Sequence, residues 1–146
     1  NVINNVKTNE TNSAGGDSIA RYLTRRVNLK DGFDATDIQL FLTANRQSGS
    51  TISVYYKVLS QFDSDTFDNR PWEAMSESTN TNTVSASDEF GEYLELEFSP
   101  VGVNTNYTSN SVTYDSFKTY AIKIVMTSSN TTKVPLIKDL RAIALA

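Results

Sequence analysis

Two runs of aspartate are the first residues whose types and spacing suggest chemistry. Asp31, Asp34 and Asp37 lie in DGFDATD, and Asp63, Asp65 and Asp68 lie in FDSDTFDN. Three carboxylates in so short a stretch offer a donor set for calcium, which takes oxygen ligands. Neither run has EF-hand spacing, and the second lacks the glycine that such a loop needs for its sharp turn. The competing reading is that Asp-Gly makes a turn while the other carboxylates cap it or face water. That reading is preferred for both runs; the second is the better metal candidate, because its loop is long enough to wrap. No metal or other cofactor is expected.

Glu92, Glu95 and Glu97 are a further set of acids. Two carboxylates across a cleft can hydrolyse a glycoside. Here Glu95 and Glu97 alternate with Leu94 and Leu96, so on a strand they share a solvated face. Trp72, Tyr55, Tyr56, Tyr107 and Tyr114 are candidates for an aromatic platform of the kind that stacks sugars in carbohydrate-binding modules. Tyrosine is as much at home in strands and at the rims of β cores. Arg21, Arg25 and Arg26 with Lys30 form a basic cluster, suited either to an acidic partner subunit or to water. Histidine and cysteine are absent. A Ser-His-Asp or Cys-His triad therefore cannot form within this chain, nor can a disulfide or a thiolate metal site. No catalytic residue is assigned, and no enzyme is expected.

These residues need a scaffold, and 146 residues suit one domain. A domain of that length buries roughly 68–70% of its unfolded surface, so it needs no staples. Thirteen basic and 17 acidic residues leave a formal charge of -4, with no overall pull toward nucleic acid or an anionic membrane. No apolar run approaches the ~20 residues that cross a bilayer, so no membrane insertion is expected. The chain starts at Asn1, without Met, in a polar stretch. It is expected to be a piece of something longer or a processed product.

Asn, Ser and Thr make up 48 of the 146 residues. They compete with helical hydrogen bonding and favour turns and strand surfaces. Residues 1–17 have no period and read as a polar arm or linker whose deletion is expected to leave stability nearly unchanged. Residues 18–146 read as a single domain. The segment Ile19 to Leu29 fits a helix face or a strand, with strand favoured. Ile38 to Ala44 and Ile52 to Val58 each alternate with period 2 around QSGS, the signature of a β-hairpin. Pro71 is placed to start one helical turn over residues 72–75, and residues 76–89 are low-complexity. Tyr93 to Phe98 alternates again; a turn-rich stretch follows from Ser99 to Ser116. Tyr120 to Met126 carries another apolar face, and Val134 to Leu145 fits either element, with strand favoured. Six strands with one apolar face each must pair those faces to bury them. That predicts an all-β, antiparallel β-sandwich of jelly-roll or Greek-key type. Its predicted core is Leu40, Leu42, Val54, Tyr56, Leu96, Phe98, Ile122 and Ile124.

Several stretches carry a resemblance: ARYLTRRVNLKDGFDATDIQLFL from Ala20, SVYYKVLS from Ser53, FDNRPWEAM from Phe67, SFKTYAIKIVM from Ser116 and TTKVPLIKDLRAIAL from Thr131. Together they resemble a domain of large virion structural proteins from contractile-tailed phages, especially those infecting marine cyanobacteria. The resemblance spans most of residues 20–145. It implies a β-sandwich with strands at both ambiguous segments, a place in the virion at the tail or baseplate, other virion subunits as partners, and no enzymatic role. The alternative is a carbohydrate- or receptor-binding β-sandwich module that meets a host surface glycan. Trp72, Tyr55, Tyr107, Tyr114, Arg21 and Arg25 are the candidate contacts for glycan or partner.

Overall fold

The computed structural model of the chain describes residues 5–79, 93–102, 104–129 and 135–146. The described residues form ten strands, in chain order: β1 (Arg21–Leu23), β2 (Val27–Asn28), β3 (Asp37–Asn45), β4 (Ser50–Leu59), β5 (Glu73–Thr79), β6 (Leu94–Pro100), β7 (Tyr107–Ser109), β8 (Val112–Tyr114), β9 (Thr119–Ser128) and β10 (Leu136–Leu145). The described residues contain no α-helix, only a 3-10 turn at Phe67–Asn69. The chain is thus all-β, and all its strand pairs are antiparallel.

One continuous path of paired strands runs β1–β9–β4–β5–β6–β3–β10, with β2 also on β9; β7 and β8 form a small separate hairpin. The bend in this path lies at β5. Glu73 and Ala74 pair with Tyr56 and Tyr55 of β4, whereas Met75 onward pairs with β6. A strand that serves two ladders in succession turns the sheet through a corner. The sheet curls, and its two arms send alternate side chains into a common interior. All eight predicted core residues lie there, each at most 5% exposed, joined by Ile38, Ala44, Val58 and Phe117. At about 25 cal/mol per Å² of apolar surface, burial of each Leu or Ile contributes roughly 1.5–3 kcal/mol.

The structure corrects four local readings. β3 and β4 are not a hairpin: β3 pairs with β6 and β10, and β4 with β5 and β9. The connection QSGS carries the chain from one arm of the sheet to the other. Residues 72–75 are extended, not helical, and Trp72 hands directly into β5. The turn-rich stretch holds the β7–β8 hairpin. Ile19 to Leu29 forms two short strands instead of one, while the last segment is a strand from Leu136. Of the low-complexity segment, residues 76–79 belong to β5. Residues 80–89, Glu92 and Val134 lie outside the described residues.

The polar arm is seated, not free. Glu10 is 4% exposed although nothing apolar draws it inward. The Lys123 ammonium, fully buried on the outward face of β9, donates to the Glu10 carboxylate at 3.1 Å and to its backbone carbonyl at 2.6 Å. Lys57 donates to the Ser13 carbonyl and the Trp72 amide to the Thr11 carbonyl. A reading that looks for apolar period finds none here, because the anchors are polar.

Candidate functional site

The residues singled out in the sequence fall into three places. Tyr55 on β4 and Trp72 before β5 come together on the outward face of the sheet, with Phe67, Ala121 and Val125. Tyr55 is paired across the ladder with Lys123, and Lys57 with Ala121. The rings enclose the two ammonium groups: Lys57 Nζ lies 4.9 Å from the Trp72 ring centre, and Lys123 Nζ lies 4.9 Å from that of Tyr55. Burial holds both ammonium groups below the ordinary lysine range; Glu10 beside Lys123 and Asp68 near Lys57 pull the other way. The arm lies over this layer. Tyr55, Trp72 and also Tyr107 are buried, so they present no ring face on which a sugar from solution can stack. Tyr56 is turned into the main core.

Tyr107 and Tyr114 meet on the β7–β8 hairpin with ring centres 5.2 Å apart. The Tyr107 hydroxyl donates to Asp63 at 2.9 Å and accepts from the Ser60 amide at 2.9 Å. The Arg70 guanidinium stacks 3.8 Å from its ring centre. Each of these six aspartates has its own partner, distant in sequence for Asp31, Asp34, Asp63 and Asp68. Asp65 accepts from the Thr66 amide and Asn69, Asp68 pairs with Arg26, Asp34 accepts from Gln61, Asp37 caps Ile38 and Asp31 approaches Lys118. Among the described residues no three metal-ligating side chains gather. Glu95 and Glu97 lie on the outward face of β6, opposite Thr43 and Phe41. Of the arginines, Arg21 donates to the Gly16 carbonyl and Arg25 is exposed.

The third place was not singled out in the sequence. The curled sheet does not close between β1 and β10. Each of these strands has one ladder partner, β9 and β3 respectively. An open groove of about 530 Å³ lies between them, lined by Tyr22, Met126, Leu136, Ile137 and Leu140 among others. Register explains the lining. Tyr22 stands opposite core residue Ile124, and Leu140 opposite core residue Leu42, so both point to the interior side at an edge that pairs with no further strand among the described residues. Tyr22 is 52% exposed; Ile19, Leu23 and Val27 are exposed too, as are Ile143 and Leu145 farther along β10. Apolar side chains concentrated on two unpaired edges mark a surface for association more than for chemistry. The signal was available: ambiguous strand periodicity near Ile19 and a long apolar last strand are what edge strands leave in a sequence.

No known protein family matches this sequence, and no curated protein or solved structure is similar enough to it to lend an identity.

Proposed function

We propose that this chain is a non-catalytic structural and interaction domain of a phage virion, in the tail or baseplate region, that packs against other virion subunits. The two arms of its sheet are read as an antiparallel sandwich of jelly-roll or Greek-key kind. That architecture is supported by the crossings: β4 and β9 pair in one arm, β3 and β10 in the other, and the chain passes between arms at β3–β4 and at β9–β10. Both arms feed one core.

The observation that carries the interaction reading is the open seam, with two unpaired edges flanking an apolar groove. The virion is supplied by the resemblance of residues 20–145. No observation favours the glycan reading, since three of its four aromatic candidates are buried. The reading is tested by mass spectrometry of purified particles from a contractile-tailed phage that encodes this chain. Its peptides are expected at the abundance of a stoichiometric component, and their absence from washed particles overturns the proposal. In the same particles Tyr22→Glu, which charges an exposed edge position without touching the core, is expected to fold and yet to be left out.

A further inference from the structure

We infer that residues 8–17 form a detachable plug, and that the face they cover is a carboxylate-binding socket open to the same plug of a second copy of this chain. The inference is independent of the virion reading, because it rests on one surface and its present occupant.

The plug holds its own shape. The Asp17 amide donates to the Thr8 carbonyl at 2.9 Å, and the Asp17 carboxylate accepts from the Thr8 hydroxyl and from Asn9. Inside that closure Asn12 and Gly15 donate to the carbonyls of Asn9 and Asn12, and the Asn12 side chain accepts from the Ala14 amide. These bonds close a compact surface loop that needs nothing from the sheet. The Glu10 carboxylate is presented from it, bound also by the Ser18 amide at 2.9 Å. Gly16 lies against that carboxylate so closely that a Cβ there would fall 2.2 Å from it.

The socket is complementary to the plug. Lys123, Lys57 and Tyr55 stand on two paired strands, and Trp72 and Phe67 close the cage around the ammonium groups. Lys123 meets the Glu10 carboxylate and Lys57 the Ser13 carbonyl, so both cations face the plug with acceptors and the pocket favours an acidic occupant. Contact between plug and socket is polar: the Glu10 carboxylate and carbonyl on Lys123, the Ser13 carbonyl on Lys57, and the Thr11 carbonyl on the Trp72 amide. No apolar residue of the cluster under the plug comes from the plug itself.

Such a joint opens easily. A buried ion pair roughly breaks even against the water it displaces. A segment without apolar contacts opens well below the free energy of global unfolding. The main core, built from β3, β4, β6 and β9, is untouched when the plug lifts. Only Ser18, Ile19 and Ala20 connect the plug to β1. Extended, they span about 10 Å, so exchange takes place between copies that abut along β1. There the high effective concentration of a neighbour's plug lets it compete for the socket. Charge complementarity, not shape alone, selects it.

Trp72 is the only tryptophan in the chain and lies in the socket wall, so it reports the plug directly. Full-length Glu10→Gln is expected to keep its β circular dichroism while Trp72 emission shifts to the red and acrylamide quenching increases. A synthetic peptide of residues 5–18, added in trans, is expected to reverse both changes. The same peptide carrying Glu10→Gln is expected to bind about tenfold more weakly or worse, the loss of a charge-assisted bond. If Trp72 stays shielded in the variant, or the peptide does not restore shielding, the proposal fails. Native-state hydrogen exchange on the unaltered chain decides the matter if the variant does not fold. The Trp72 amide should exchange through an opening distinct from, and easier than, that of the β4–β9 ladder amides. Exchange of both through a single global event would make the plug an integral part of the domain and overturn the inference.

Discussion

Tyr107 ties three separate segments together, and its hydroxyl is the knot. It satisfies a buried carboxylate at Asp63 and a buried amide at Ser60 at once, under the Arg70 guanidinium, which also donates to the Val58 carbonyl. Removing the hydroxyl takes this partner from the Asp63 Oδ2 and from the Ser60 amide, while Asp63 Oδ1 keeps the Asp65 amide. Tyr107→Phe is therefore expected to cost about 1–3 kcal/mol at neutral pH by urea denaturation. Its alkaline behaviour gives the sign of a second effect. Burial, with Asp63 adding to it, pushes the Tyr107 hydroxyl up to about 12, against about 10 in the unfolded chain. The folded state keeps this proton where the unfolded state has lost it. The stabilisation is complete below pH 10 and disappears as pH rises to 12. The lowered lysines act in the opposite direction, but equally in both proteins. The wild-type chain is thus expected to lose stability more steeply than Tyr107→Phe between pH 10 and 12. Parallel curves would show that the hydroxyl is not buried as described. From sequence, Asp63 was weighed as a metal ligand because its neighbours are acids, with a turn or solvated role preferred; its partner is 44 residues away, beyond the reach of any local pattern.

At the scale of the element, alternation along a strand is blind to its neighbour. The faces of β3 and β4 were legible residue by residue, since Leu40, Leu42, Val54 and Tyr56 are all in the core. Their relation was not, because a hairpin and an arch between the two arms leave the same period-2 pattern on both sides of a short glycine-containing loop. What distinguishes them is where each strand finds its backbone partners, and those come from β5, β6, β9 and β10. Gly49 sits in that arch at φ +84°, where a Cβ would meet the Ser129 hydroxyl at 2.9 Å. Gly32 has a similar φ of +81° with open space around it. Gly32→Ala is expected to cost about 1 kcal/mol, the backbone strain alone, and Gly49→Ala roughly 1–2 kcal/mol, since Ser129 must also shift. Equal losses in thermal or urea unfolding would mean that the arch relaxes without resistance.

At the scale of the whole molecule, the apolar interior was legible and the polar exterior was not. An apolar face announces itself by its period. Lys57 and Lys123 instead occupy positions that alternation assigns to water, and they are buried because a loop with no period of its own, carrying Glu10, covers them. The consequence is a corrected expectation for the arm. Without residues 1–17, Lys123 loses the Glu10 carboxylate and Trp72 and Tyr55 lose their cover. The loss is bounded, since the uncovered ammonium groups regain water instead of remaining buried and unpaired. A net cost of about 1–3 kcal/mol follows, and in a domain of this size each kcal/mol lowers Tm by roughly 2–4 °C. Truncation after Asp17 is expected to lower Tm by about 2–12 °C in calorimetry, with the β4–β9 and β3–β6 amides still the last to exchange. A Tm unchanged by the truncation would mean that the polar anchors contribute nothing net. A collapse of the whole transition would mean that the core between the two arms of the sheet cannot stand without the layer outside it.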